Sequence, residues 1–109
     1  MLYILGNTIK LTRGDTAYIT VSIENAVNDE YVMSAMDTLT LSIKRRITDV
    51  DYILQKTITG ENMFHIYPED TKNLRFGEYK YDIQLVTENG DVFTIVPPSS
   101  FVLMEEVTI

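Results

Sequence analysis

The sequence has no cysteine at all, a single histidine, and nine basic residues against 16 acidic ones in a chain of 109. Without cysteine there is no disulfide to staple a small fold, no thiolate nucleophile and no zinc–thiolate site. The lone histidine, His65, leaves a Ser-His-Asp arrangement or a metal–histidine site without a second member. The acidic balance, a net charge of −7 with a pI near 4.5, opposes general attraction to nucleic acid or to an anionic membrane. No apolar run approaches the length of a membrane span. Glycine-rich phosphate loops and nucleophile elbows are missing as well. Residues 1–6 are apolar but lack a basic leader, and they read as a strand, not a signal peptide.

What the sequence does contain is a repeated period of two. Ile9 and Leu11 form one short alternating stretch, stopped by Arg13, Gly14 and Asp15. Ala17, Ile19, Val21 and Ile23 alternate with Tyr18, Thr20 and Ser22, and Leu39, Leu41 and Ile43 repeat the pattern against Thr40, Ser42 and Lys44. Such alternation marks strands with one buried and one wet face. Residues 53–59 give a weaker strand, in which Lys56 sits awkwardly between Leu54 and Ile58. Phe64 and Ile66 are inward members of another, which turns His65 to solvent. Asn89 and Gly90 supply the strongest short hairpin signal, because both central residues of a type I′ turn need positive φ. Pro97 and Pro98 are expected to block further ladder pairing, so residues 101–109 are read as a separate last strand. Residues 24–37 lack a regular pattern, and Tyr31, Val32, Met33 and Met36 fit either a loop or a short strand. No stretch sustains a helical period, so helix is limited to a turn near residues 69–73.

Several motifs have a chemical reading and a simpler one. Arg13, Gly14 and Asp15 spell the integrin-recognised tripeptide, but glycine followed by aspartate is also an ordinary turn. Asp29, Glu30, Asp49, Asp51, Glu69, Asp70 and Glu88 could offer oxygens to a hard cation, yet no single loop brings enough of them together. Asp70 or Thr71 more simply caps backbone amides of a turn. Lys44, Arg45 and Arg46 are three cations at a strand end, a solvated rim more than a nucleic-acid patch. Of the seven tyrosines, Tyr3, Tyr18, Tyr31, Tyr52 and Tyr67 are expected partly at the surface, where tyrosine serves interfaces well.

Leu74, Gly77, Tyr79 and Tyr81, in the spacing Leu-x-x-Gly-x-Tyr-x-Tyr, are the most specific landmark. A tyrosine placed this way enters the penultimate strand of immunoglobulin-like sandwiches, its phenol capping a carbonyl upstream. Tyr81 then takes the place that a cysteine holds in antibody domains. The expected fold is therefore all-β, an immunoglobulin-like antiparallel β-sandwich of about seven to nine strands, filling residues 1–109 as one domain.

Taken with the strand ending in Ile43 and Lys44, the Pro68, Glu69, Asp70, Thr71 turn, the Tyr81-Asp82-Ile83-Gln84-Leu85 run and Val107 with Thr108, the chain resembles the N-terminal domain of phage baseplate upper proteins. The resemblance implies a phage or prophage virion structural protein, associated with baseplate or tail and made in the host bacterial cytoplasm. Baseplate upper proteins continue into a stalk whereas this sequence ends at Ile109, which leaves virion structure or assembly as the broader expectation. Partners would be other virion proteins or further copies of the chain, with no enzyme activity, cofactor, metal, nucleic acid, membrane or small-molecule substrate. The alternative is a ligand-binding module for cell-surface carbohydrate or peptide. Leu2, Tyr3, Ile4, Val102 and Met104 lie in runs that are apolar on successive residues, and these form the expected docking edge.

Overall fold

Alternation at the sequence level becomes two facing layers. The computed structural model describes residues 2–23 and 31–106. Eight strands occur there: β1 (Leu2–Leu5), β2 (Thr8–Thr12), β3 (Ala17–Thr20), β4 (Thr38–Lys44), β5 (Leu54–Thr59), β6 (Met63–Ile66), β7 (Gly77–Val86) and β8 (Val92–Met104), with one helical turn, α1 (Pro68–Thr71). Six strands form a sheet in the order β1-β2-β8-β7-β4-β5, and β3 pairs with β6 in a second sheet. The fold is an all-β sandwich.

Between the layers lies one apolar core. Leu11, Leu39, Leu41, Phe64 and Ile66 are fully buried, and Ile19, Ile43, Ile83, Leu85, Phe101 and Leu103 join them. The inward residues of β7 are Tyr79, Tyr81, Ile83 and Leu85, all buried, while Lys80, Asp82 and Gln84 point the other way. Area removed from water at roughly 25 cal/mol per Å² makes this shared face the main source of stability.

Two expectations change, and one alternative left open is decided. The larger sheet is mixed, because β2 runs parallel to β8 with Ile9 opposite Phe101 and Leu11 opposite Leu103. Pro97 and Pro98 do not divide β8 in two: the strand continues past them by shifting register between the Tyr81 and Ile83 positions of β7. Proline has no N–H to give a ladder, and the bulge absorbs the loss. Residues 31–37 form a loop rather than a strand; residues 24–30 and 107–109, which include Asp29, Glu30, Val107 and Thr108, lie outside the described residues.

Buried polar groups tie the loops to the sandwich. Asp37, 1% exposed, accepts hydrogen bonds from the Tyr31 hydroxyl at 2.6 Å and from the amides of Ser34 and Glu88 at 3.0 and 3.1 Å. The tyrosine bond and these amides hold its carboxyl below the ordinary carboxylate range and push the Tyr31 phenol up. Hydrogen bonds to the ionised form have that effect.

Candidate functional site

Tyr79 and Tyr81 enter the core side by side on β7, yet their hydroxyls go to different places. The Tyr79 hydroxyl donates to the Arg75 carbonyl at 2.5 Å, within the corner, while Leu74 packs half-buried against the core. Gly77, at φ +140°, opens the strand in a backbone conformation that side chains rarely adopt. Tyr81 donates instead to the carbonyl of Asn7 in the β1–β2 turn, and its ring meets Phe101 edge-on at 6.4 Å. Burial pushes the Tyr81 phenol up. These four residues therefore work as internal fastenings.

The Arg-Gly-Asp sequence is also taken up inside the protein. Arg13 pairs with Glu106 at 2.7 Å, donates to the Leu74 carbonyl at 3.0 Å and lies over the Phe76 ring. The guanidinium bond holds Glu106 below the usual glutamate range. Gly14, with φ +83°, donates its amide to the buried Thr71 hydroxyl at 2.8 Å. An arginine clamped in this way is not presented to a receptor.

Lys56 has a reason for its awkward position. It faces inward on β5, where it pairs with Asp70 at 2.7 Å and caps the Tyr67 ring at 4.9 Å. Asp70 in turn accepts from the Tyr67 amide at 2.7 Å. His65 is half-buried on the outer side of β6, stacked on Tyr18 at 4.5 Å and meeting the tilted Tyr67 ring at 3.9 Å. Asp49 accepts the Arg46 amide as a turn residue. Among the described residues, no three His, Asp or Glu side chains gather where they could hold a metal ion, and no helix is long and apolar enough to cross a membrane.

The expected docking edge is only partly an edge. β1, with Leu2 half-buried and Ile4 52% exposed, does end the larger sheet; the Tyr3 side chain is outside what is described. Val102 sits on β8 between β2 and β7, paired on both sides, and so holds an inner position, whereas among the described residues Met104 pairs only with Thr12 of β2, the β7 ladder ending at Leu103. Val102 is flanked in register by Lys10 and Glu78. Long side chains of that kind lay their stems along a neighbour, which lets an inner strand be apolar on successive residues.

An open edge missed in the sequence lies in the first half of β8. There, among the described residues, β8 pairs with β7 only, because β2 reaches it no earlier than Phe101. Val92 stands opposite Val86 on the outer face and Phe93 opposite Leu85 on the core side. Leu85 is buried, but Val92 and Phe93 are 58% and 52% exposed. The cover over Leu85 does not extend to Phe93. Comparison with protein-family models, curated proteins and solved structures finds no match to this chain.

Proposed function

We propose that the chain is a non-catalytic structural or assembly component of a phage or prophage virion, associated with baseplate or tail. It works by docking on other virion proteins or on further copies of itself, and its place of action is the particle. The observation that carries the docking mode is the one-sided pairing of residues 92–96 beside exposed Val92 and Phe93. An unpaired strand edge offers a row of free N–H and C=O groups, a template that another extended segment completes. Apolar side chains on both faces of that edge add area that water disfavours. Pro97 and Pro98, which cannot donate, bound the edge at its far end.

The virion setting rests on the resemblance of the Leu74, Gly77, Tyr79, Tyr81 corner and its neighbouring strands to baseplate upper proteins. Particles purified on a density gradient from the encoding strain are expected to contain the chain in a fixed ratio to the other structural proteins, read by quantitative mass spectrometry. Finding it only in the free host protein, and none in particles, overturns the reading.

A further inference from the structure

The outer face of the larger sheet carries a groove of about 350 Å³, within the ~300–1,000 Å³ that small-molecule sites occupy. Its floor is made of cross-strand rows. Gln55, Ser42 and Asp82 lie side by side on β5, β4 and β7, and Thr40 and Gln84 are neighbours in the next row. Tyr52, 51% exposed, and Pro98, on the bulge of β8, are further lining residues.

We propose that this groove is a binding site for a neutral saccharide. Three observations specify that chemistry. The floor offers hydroxyls and amides that both donate and accept, together with one carboxylate, and a sugar's hydroxyls need such mixed partners. Neither Asp82 nor Gln84 makes a side-chain hydrogen bond or an ion pair among the described residues, so both are free to bind. Tyr52, 51% exposed with Lys44 over one side of its ring, supplies aromatic area with a polar tip, of the kind that packs against a sugar ring.

Charge argues for a neutral ligand. The Lys44 ammonium is committed to the Asp49 carbonyl at 2.7 Å and to the Tyr52 ring at 5.0 Å. That of Lys80 is committed to Glu78 and Ser100 at 2.7 and 3.1 Å. Lys80 is neutralised by Glu78, and the charge of Lys44 acts on the Asp82 carboxylate, so opposite charges in the groove cancel and favour neither an anion nor a cation. Burial pushes the Asp82 carboxyl up, a cost to the fold that a ligand hydroxyl donating to the carboxylate would offset. The groove borders the open edge of β8 at Val86 and Pro98, but the residues argued to hold the sugar lie on β4, β5, β7 and at Tyr52, so it can fail while the docking reading stands.

The test is a titration of the isotope-labelled full chain with maltotriose, chitotriose and lactose, with glucuronic acid as the acidic comparison, followed by NMR. At least one neutral sugar is expected to give saturable shifts in the side-chain amide signals of Gln55 and Gln84. Gln84→Ala and Tyr52→Ala replace exposed side chains, so their unfolding midpoints should match the parent, while affinity drops by about tenfold. Absence of saturable shifts with every neutral sugar overturns the proposal. Undiminished affinity in both variants, or tighter binding of glucuronic acid than of any neutral sugar, overturns it equally.

Discussion

The Tyr79 hydroxyl donates to the carbonyl of Arg75, four residues upstream, at 2.5 Å. The bond closes the corner between α1 and β7 and fixes the point at which β7 enters the core. Because Tyr79 is 4% exposed, its hydroxyl is held at this carbonyl rather than turned to water. Tyr79→Phe keeps the ring and deletes the bond. Its expected cost is about 1–2 kcal/mol, read as a lower urea midpoint at unchanged slope. An unchanged midpoint contradicts the fastening role.

Phe64 is fully buried on β6 and faces the larger sheet across the core. Phe64→Ala is expected to cost about 3–5 kcal/mol, since it removes the ring and leaves a cavity. For a domain of this size that is a large part of total stability. Thermal unfolding checks it, and a loss under about 1 kcal/mol contradicts a tightly packed interlayer core.

Asp37 and Asp82 are expected to act on stability in opposite directions with pH. Asp37 is depressed in the fold by the Tyr31 bond. Its contribution is therefore complete above the unfolded carboxylate value, about 3.9, and is lost as pH falls through the lower folded value. Asp82 is raised by burial, so at neutral pH its ionisation weakens the fold. Denaturant midpoints should fall steeply below about pH 4, less so in Asp37→Asn. Asp82→Asn should raise the midpoint at pH 7 and leave it unchanged in strong acid. A parallel pH dependence in all three proteins contradicts both assignments.

Gly60 is required by conformation and by space. It holds φ +71° and donates its amide to the Asp37 carbonyl at 2.9 Å, and a Cβ there would lie 3.0 Å from the backbone oxygen of Ala35. Gly60→Ala is expected to cost about 1–2 kcal/mol from the left-handed backbone alone, with the contact adding to it. A midpoint equal to the parent's in thermal unfolding contradicts that.

How far the fold could be read from the sequence depended on how local its causes were. The inward sets of β3, β4 and β7 follow directly from period two, and the short α1 from Pro68 and the residues after it. Lys56 was opaque because its partners, Asp70 and Tyr67, come from a different part of the chain. Val102 was misplaced because successive apolar residues do signal two covered faces, but at that position β2 and β7 flank the strand on either side. The free edge of β8 was hidden for the converse reason: nothing in residues 92–96 says that β2 begins pairing only at Phe101. The groove was invisible because Ser42, Asp82 and Gln84 look like any wet strand face until the cross-strand register sets them side by side.

The measurement that bears most directly on docking through β8 is amide hydrogen exchange, read by mass spectrometry on the free chain and on the chain within purified particles. Residues 92–96 are expected to exchange much more slowly in particles, as a partner strand takes up their free N–H groups. Phe93→Lys, which places a charge on the half-exposed core-side position, should stay folded and lose both that slowing and incorporation. Equal exchange of these residues in the two states, with protection appearing on some other surface, contradicts the account.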